Sequence, residues 1–269
     1  MSQLLARNTA SFSDNKIHDD RVAAEYGFRG GLVPGVTVYG YMASAVVSKL
    51  SRDWLERGWM QVRFQEPTYE GDAVVVHVRA GDGGGYQVTA ERTDGTVCAT
   101  GSAGIGRRAA VHSEDFPIRP LPAFEERPLA SWEAFVPGEP LGTLREKVDL
   151  TDRTWMEELA FDADAEPSPM YAGTSAIAHP AVLLGLSNRI LTRNFKLGPW
   201  IHVGSDLTNL GTARHHDEIT VTGRIHDRFE KKGHEFVVLD LALAVHGGKP
   251  IQRVRHTAIY RPKPRTVEA

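Results

Sequence analysis

The sequence predicts an α+β fold that consists of two copies of one unit, each a long helix followed by antiparallel strands. Segments 34–50 and 181–195 have helical character, and strand-like runs separated by turn residues follow each of them. From the helix to the strand that follows Asp72 or Asp217, the copies align without gaps at a spacing of 145 residues, which also separates Pro34 from His179 at the helix starts. Small insertions in the later hairpins increase the spacing to 155 residues at Ala103 and Ala258. A spacing that continues from the helix into the strands indicates an internal repeat.

The first copy begins with an apolar helix. Residues 34–50 carry no charge except Lys49 near the end, and a proline such as Pro34 suits the first turn of a helix. The β-branched and alternating runs after it predict an antiparallel sheet, and Asp94-Gly95 marks a hairpin turn between two strands. The predicted strands are 62–64, 73–80, 86–93 and 97–105.

The second copy repeats this order. Its helix, 181–195, is polar on one face because of residues such as Asn188 and Arg189. Asp217, which leads into a strand, lies 145 residues after Asp72, which leads into the corresponding strand of the first copy. The predicted strands are 202–209, 218–226, 235–245 and 251–260.

The repeat divides the chain into three parts. Residues 1–110 form the N-terminal unit, and residues 143–269 form the C-terminal unit. Between them, residues 111–142 are rich in proline and lack periodicity, which predicts a linker that lies over the surface. Because each unit alone leaves an open strand edge, we expect the two sheets to join into one continuous antiparallel sheet.

Composition excludes several classes of protein. A hydrophobic content of 41%, a charged content of 24% and a net charge of −3 are ordinary for a globular protein and provide no basic surface for nucleic acid. No apolar run reaches the length of a membrane span, and the N-terminus lacks the apolar core of a signal peptide. The single cysteine, Cys98, lies in an alternating strand, which favours a structural thiol in a cytoplasmic protein.

The candidate chemistry lies between residues 12 and 42. A polar cluster that includes Asp14, Asn15 and His18 comes shortly before a glycine-rich turn, and Gly35 follows at the start of the uncharged helix. This order brings an imidazole close to N–H groups that have no partner within the helix. An imidazole that moves protons beside donors that polarise a carbonyl group is typical of acid–base chemistry on acyl compounds.

This segment resembles the signature of the MaoC-like acyl dehydratases, the (R)-specific enoyl-CoA hydratases of the hotdog superfamily. Their motif runs Asp-x-Asn-Pro-x-His and continues, after a gap, as Gly-Phe-x-x-x-Ile-x-(His or Pro)-Gly at the start of a helix. Residues 15–18 match the family's Asn-Pro-x-His with Lys16 in place of proline, and residues 27–35 match the second part. The family's aspartate falls on Ser13, and the nearest acid, Asp14, comes one residue later.

The resemblance implies a double hotdog fold, in which an antiparallel sheet wraps each long helix, and a hydratase or dehydratase that acts on an acyl thioester. It implies His18 and Asp14 as catalytic residues and Asn15 and Gly35 as substrate-binding residues. The thioester is carried by coenzyme A or by an acyl carrier protein, and the reaction needs no metal or redox cofactor. No nucleic-acid or membrane partner is expected. A homodimer is compatible with the sequence.

Alternatives exist within and outside this class of enzyme. A thioesterase, or a polyketide-type cyclase or isomerase, is compatible with the same scaffold, because a lone histidine beside an oxyanion site can enolise a thioester without hydrating it. A non-catalytic acyl-binding subunit is the alternative from another class.

The repeat also predicts that the two copies differ in function. In the second copy Ala163 takes the position that His18 has in the first copy, 145 residues earlier. We therefore expect one active copy and one degenerate copy that shapes the acyl tunnel. Around Ala163 we expect no titratable group facing a cavity.

Overall fold

One antiparallel sheet of ten strands forms the framework of the computed structural model, which describes residues 3–81, 84–106, 114–166, 168–245 and 247–264. The strands are β1 (Gln3–Leu5), β2 (Gly58–Phe64), β3 (Ala73–Ala80), β4 (Tyr86–Arg92), β5 (Val97–Ile105), β6 (Leu144–Lys147), β7 (Ile201–Asn209), β8 (Glu218–Lys231), β9 (His234–Val245) and β10 (Lys249–Arg261). The helices are α1 (Asp20–Glu25), α2 (Gly35–Leu50), α3 (Asp53–Arg57), α4 (Arg153–Glu158) and α5 (Pro180–Asn194). In space the strand order is β1-β3-β4-β5-β2-β7-β10-β9-β8-β6.

The sheet is continuous across the two halves of the chain. Strands β1 to β5 come from the first half and β6 to β10 from the second, and β2 pairs with β7 in antiparallel register, with Met60 opposite Leu207 and Val62 opposite Ser205. On their other sides β2 pairs with β5 and β7 pairs with β10. Each half therefore covers the strand edge that the other would leave open, which confirms the predicted continuous sheet.

The two long helices, α2 and α5, pack against each other and against the sheet. Small residues permit this close approach: a Cβ on Gly40 would lie 3.2 Å from the Cβ of Ala181. A Cβ on Gly185 would lie 2.2 Å from the backbone oxygen of Leu159, so α5 also presses on the chain at the end of α4. One hydrophobic core includes buried side chains of both halves. None of the helices in the described residues is long and apolar enough to cross a membrane.

The observed elements follow the predicted ones closely in the long helices and strands. Helix α2 begins at Gly35, one residue after the predicted start, because Pro34 has the extended conformation of a cap. Strand β8 continues to Lys231 instead of ending at residue 226, since it forms one long hairpin with β9. The short elements β1, β6, α3 and α4 are not predicted from the sequence, because three to six residues show no usable periodicity.

The proline-rich segment between the halves is anchored in the core instead of lying only over the surface. Phe135 is fully buried, and its ring centroid lies 4.4 Å from that of Phe195 and 4.6 Å from that of Tyr260. The predicted path over the surface was therefore wrong at Phe135. The apolar residues of this segment are irregularly spaced among prolines, so they give no periodic signal of burial. Part of the junction, residues 107–113, lies outside the described residues, and the division at residues 110 and 142 stays a prediction.

We expect Gly185→Ala to lower the free energy of unfolding by about 2 kcal/mol or more, although alanine is the better helix former by about 1 kcal/mol. The added methyl group would meet the backbone oxygen of Leu159, which cannot move aside as a flexible side chain can. Urea denaturation of the two proteins measures the difference. Gly198→Ala is the matched control, because a Cβ there meets no atom within 4 Å. Equal stability of the two variants would contradict the close contact between α5 and Leu159.

Candidate active site

A cavity of about 330 Å³ lies where the two halves of the chain meet. The first half contributes the segment before α2 and the start of that helix, and the second half contributes Asn188 of α5 and the first residues of β7. Its volume is at the lower end of the range of about 300–1,000 Å³ that is usual for small-ligand sites. Most of the wall is apolar, and the residues Phe28, Leu32, Val38, Phe64, Ile201 and Ile259 form this part of it.

Backbone contacts hold His18 in place beside this cavity. Lys16–His18 form a single turn of 3-10 helix, and the chain then returns over this turn, where Leu32 N–H donates to the Ile17 carbonyl oxygen at 3.1 Å. Gly31 lies so close that a Cβ there would be 2.1 Å from the carbonyl oxygen of His18. A side chain at this position would force the two backbone segments apart. The glycine-rich turn therefore allows the segment before α2 to lie directly on the turn that carries the imidazole.

His18 is a neutral imidazole with a defined tautomer. Its Nδ1 lies 2.6 Å from the carbonyl oxygen of Leu32, and because a carbonyl oxygen only accepts, Nδ1 carries the proton. The lone pair is therefore on Nε2. Burial lowers the pKa of His18 to about 4, against the opposing effect of the Leu32 hydrogen bond, so the ring is uncharged at neutral pH. The cavity wall thus includes a nitrogen that can accept a proton.

Asn15 connects this imidazole to the second half of the chain. Its Oδ1 accepts from the backbone N–H of Trp200 at 3.1 Å, and its Nδ2 donates to the Trp200 carbonyl oxygen at 3.0 Å. Nδ2 also lies 3.2 Å from Nε2 of His18, which suits donation to the ring's lone pair. One amide group therefore orients the imidazole and joins the two halves. A molecule that gives a proton to Nε2 of His18 therefore has to displace only the 3.2 Å hydrogen bond from Asn15.

Gly35 presents its N–H at the start of α2. Pro34 caps the helix without a side-chain hydrogen bond, and among the described residues the Gly35 N–H has no partner. A Cβ on Gly35 would lie 2.9 Å from Cε2 of Phe64 and 3.2 Å from Nδ1 of His202, so glycine is what allows two rings to pack on the helix start. The helix dipole adds partial positive charge at this point. The start of α2 is therefore suited to bind a developing oxyanion.

The structure does not bring Asp14 to His18. The Asp14 side chain is exposed and does not line the cavity, and the two ring nitrogens of His18 pair with Leu32 and Asn15. Within the described part of the chain, the carboxylate that lines the cavity is that of Glu66, which is exposed at the rim.

Cys98 also lines the cavity. Burial raises the pKa of its thiol, and a protonated thiol is a poor nucleophile. The structural role predicted for this cysteine therefore has a physical basis, and the wall of the cavity contributes acid–base groups and hydrogen-bond donors instead of a reactive sulfur.

Three buried residues that the sequence does not connect form a chain of hydrogen bonds beside Gly35. His202 Nε2 lies 2.9 Å from Ser205 Oγ, which lies 3.0 Å from Nδ1 of His256. Burial holds the pKa of His202 well below its usual value, with the His256 ring adding to this effect and the Gly204 backbone opposing it. Burial also lowers the pKa of His256 to about 3. The residues lie on β7 and β10, and only the pairing of these strands brings them together.

A second cavity, of about 430 Å³, lies at the start of α5. Titratable side chains line it, among them Asp162 and His179, so the expectation of no such group around Ala163 was wrong. The two sites differ for another reason. Pro180 occupies the first position of α5 and has no N–H, and Nδ1 of His179 accepts the N–H of Ala181 at 3.0 Å. The start of α5 therefore lacks the free donor that Gly35 gives to α2.

The tautomer of His179 also limits the chemistry of this second cavity. Because Nδ1 accepts a hydrogen bond, Nε2 carries the proton, and it lies 3.0 Å from Oγ of Ser44. The imidazole therefore donates to the hydroxyl group and has no lone pair to take its proton. This pair does not have the arrangement of a serine nucleophile with its base.

Comparison with solved structures identifies the class of fold. A conserved hypothetical protein from Mycobacterium tuberculosis that has a double hotdog fold and is essential for bacterial survival during infection aligns with a TM-score of 0.62 at 12% identity, over 96% of this chain and 93% of that one. A MaoC domain protein from Chloroflexus aurantiacus with a provisional dehydratase assignment aligns with a TM-score of 0.61 at 11% identity, over 98% and 94%. A MaoC-like dehydratase aligns with a TM-score of 0.57 at 15% identity, over 96% and 95%.

These alignments extend over almost the whole chain and show a double hotdog fold, as the sequence predicts. The same fold occurs in a Lactobacillus plantarum protein with a provisional oleoyl thioesterase assignment, which aligns with a TM-score of 0.50 at 10% identity, over 98% of this chain and 95% of that one. No protein-family model and no curated protein matches the sequence. At such low identity the solved structures establish the fold alone.

The imidazoles that are buried, and the partly buried one of His18, predict a loss of stability in acid. His18, His179, His202 and His256 have folded-state pKa values below the value of about 6.5 that histidine has in an unfolded chain. Below that pH the unfolded chain binds more protons, so the free energy of unfolding falls as the pH decreases, by up to about 1.4 kcal/mol per pH unit for each group. Urea denaturation between about pH 8 and about pH 5 measures this dependence. A constant free energy of unfolding over this range would contradict the burial of neutral rings.

Proposed function

We propose that the protein is a hydratase or dehydratase that acts on an acyl thioester of coenzyme A or of an acyl carrier protein. The observation that supports this most directly is that His18 and Gly35 line one largely apolar cavity. The lone pair of His18 is on Nε2, and the Gly35 N–H has no partner among the described residues. Two further points support the choice of reaction. Residues 15–18 and 27–35 resemble the MaoC-like signature, and proteins described as MaoC-like dehydratases share the fold.

In the proposed hydration, the thioester carbonyl oxygen accepts a hydrogen bond from the Gly35 N–H. His18 Nε2 takes a proton from water while the water oxygen bonds to the β carbon. The electron pair of the double bond moves to the α carbon and the carbonyl oxygen, and the Gly35 N–H stabilises the resulting enolate. The imidazolium then gives its proton to the α carbon, which regenerates the neutral ring. Dehydration follows the same steps in reverse.

Asn15 contributes by position. Its Nδ2 lies 3.2 Å from the nitrogen that takes the proton, so the amide is placed to hydrogen-bond a water or a hydroxyl group at that nitrogen. Its two hydrogen bonds to Trp200 hold it there. The resemblance implies Asp14 as a second catalytic residue, but Asp14 is exposed and does not line the cavity. Its catalytic role stays a prediction.

A thioesterase is the second candidate function. The double hotdog fold of the Lactobacillus plantarum protein with a provisional oleoyl thioesterase assignment favours it, as does the carboxylate of Glu66 at the rim of the cavity. In that reaction water attacks the carbonyl carbon, and the thiol leaves. The same oxyanion site would serve, so the products separate the two candidates.

Incubation with trans-2-enoyl thioesters of coenzyme A and of acyl carrier protein, with short, medium and long acyl chains, tests the proposal. The expected result is loss of the absorbance of the conjugated enoyl group without release of free thiol. Release of free thiol would assign a thioesterase. An isomerised or cyclised product would identify the protein as an isomerase or a polyketide-type cyclase. Tight binding without any reaction would assign a non-catalytic acyl-binding protein.

We expect His18→Ala to lower the rate of hydration by about 100-fold or more, because the proton acceptor is lost. The free energy of unfolding should change by about 1 kcal/mol or less, as for most substitutions outside the core. His216→Asn is the matched histidine control, since His216 is exposed and has a φ of 71°, which asparagine also adopts. If His18→Ala hydrates the thioester as fast as the wild type, His18 is not the proton acceptor.

Asp14→Asn tests the aspartate that the resemblance implies. The carboxylate is exposed, and the ring nitrogens of His18 pair with Asn15 and Leu32 instead. We therefore expect kcat/KM to stay within about three-fold of wild type, as for substitutions that remove no transition-state interaction. Steady-state kinetics with the best enoyl thioester measures the ratio. A loss as large as that of His18→Ala would mean that Asp14 reaches the imidazole in the substrate complex.

A further inference from the structure

The cavity contains an imidazole that the mechanism above does not use. His202 lines the cavity, and its Nδ1 is buried without a hydrogen-bond partner among the described residues. This nitrogen lies 3.2 Å from the position of a Cβ on Gly35, so it is next to the residue that offers the free N–H at the start of α2. Most buried polar atoms in proteins have a partner, so an unpartnered one beside a cavity is a candidate for contact with a bound molecule.

The chain from His202 to His256 has two proton arrangements. Ser205 has one hydroxyl proton, so it donates to one of the two rings and accepts from the other. If Ser205 donates to His202, Nε2 of His202 holds a lone pair and Nδ1 carries a proton beside Gly35. If Ser205 donates to His256, Nδ1 of His202 holds the lone pair, and Nε2 of His256 carries a proton.

The position of the cavity favours the first arrangement. Nε2 of His256 is buried and has no hydrogen-bond partner in the described structure. In either arrangement one outer nitrogen carries a proton that has no acceptor among the described residues of the free protein. His202 lines the cavity and His256 does not, so a ligand in the cavity can pair only with a proton on His202. With the proton on Nδ1 of His202, the unpaired donor lies beside Gly35, which also lines the cavity.

We propose that the Nδ1–H group of His202 is a second donor to the carbonyl oxygen of the bound thioester, beside the Gly35 N–H, and that Ser205 and His256 hold His202 in the donating tautomer. This inference rests on the proposed function, because it requires an acyl thioester in the cavity. A neutral imidazole suits this role, since its N–H group polarises a carbonyl oxygen without protonating the enolate. Burial keeps the ring neutral, as its low pKa indicates.

The ring of Phe64 packs beside this pair of donors. Its ring meets that of His202 edge-on with 4.9 Å between the centroids, and its Cε2 lies close to the same side of Gly35. Phe64 is half-buried and lines the cavity, so its ring has space on one side. The carbonyl oxygen reaches both donors when this ring turns aside. Hydrogen bonds of this kind often form fully only with the substrate in place.

Infrared spectroscopy of a bound, unreactive thioester tests the contact directly. Butyryl-, octanoyl- and palmitoyl-CoA, labelled with 13C at the thioester carbonyl, are bound to the wild-type protein and to its variants. In the wild type we expect the carbonyl stretch to lie at lower frequency than in water, because two donors polarise the bond in a buried site. His202→Phe, which keeps a ring of similar shape but has no N–H, should lose about half of that shift if the two donors contribute equally.

Three further variants complete this measurement. His202→Gln, whose amide retains an N–H, should keep more of the shift than His202→Phe. Ser205→Ala should have an intermediate shift, since the ring then adopts either tautomer. His216→Asn, the exposed control, should keep all of it. A full shift in His202→Phe would overturn the proposal.

Kinetics gives a second readout. With the enoyl thioester that the wild type converts fastest, His202→Phe should lower kcat by about 100-fold or more, as expected for the loss of one oxyanion donor. KM should change little, because the contact strengthens in the transition state. An unchanged kcat would overturn the proposal.

The two hypotheses fail in different ways. If the wild type shifts the carbonyl stretch and His202→Phe loses that shift, but no enoyl thioester is hydrated, the donor role stands and the hydratase function falls. If none of the labelled thioesters binds to the wild type, both fall.

A measurement on the wild type alone covers the case in which the buried variants do not fold. In protein labelled with 15N-histidine, the ring nitrogens of His202, assigned through contacts with the Phe64 ring protons, should show a protonated Nδ1 and an unprotonated Nε2. This pattern should persist from about pH 8 to about pH 5, because the folded-state pKa is far below 6.5. The opposite tautomer would overturn the proposal.

Discussion

The candidate site depends on the pairing of β2 with β7. This contact joins the two halves of the sheet, and it places the start of β7 under the start of α2. Trp200, just before β7, then reaches Asn15, and His202 reaches Gly35. Neither half contains these pairs alone. A hydrogen-bonded strand pair has a fixed register, so it sets the position of residues from distant parts of the chain more closely than a contact between loops would.

The two helix starts show how a repeated fold acquires a single active end. Both α2 and α5 begin beside a cavity, and both cavities contain titratable side chains. The difference is in the first helical residue. The Gly35 N–H has no partner in the part of the chain that the structure describes, whereas Pro180 has no N–H and the ring of His179 accepts the next one. A helix whose first donors are occupied cannot stabilise an oxyanion, whatever acids and bases surround it. The functional difference between the two halves therefore comes from backbone donors. In the sequence it is visible as a glycine at the first position of α2 and a proline at the first position of α5.

The sequence predicts the fold well because the elements that define it are long. Helices α2 and α5 and most strands have enough residues to show their periodicity. Because the same order of elements occurs twice, the assignment in one copy supports the assignment in the other. In the site, the sequence singles out His18, Asn15 and Gly35, which lie in one motif, and the structure brings all three to one cavity. It does not bring Asp14 there, because a one-residue shift turns the side chain to solvent.

The remaining site residues are distant in sequence. His202, Ser205 and His256 meet only through strand pairing, and Glu66 reaches the cavity from the end of β2. A single sequence has no signal for such contacts unless the register of the sheet is known. The histidines of β7 and β10 therefore look like scattered residues until the fold is in place.

Burial also explains why neutral donors suit the proposed chemistry. A base with a pKa of about 4 is weak at neutral pH, where a catalytic pKa near the working pH is most effective. In the proposed reaction negative charge develops on the carbonyl oxygen close to His18, and an anion within about 6 Å raises the pKa of an imidazole. The base therefore becomes stronger as the enolate forms. A cation at the oxyanion site would cancel this effect by neutralising the charge and by repelling the imidazolium. Gly35 and His202 stabilise the oxygen through dipoles alone, which leaves the attraction between enolate and imidazolium intact.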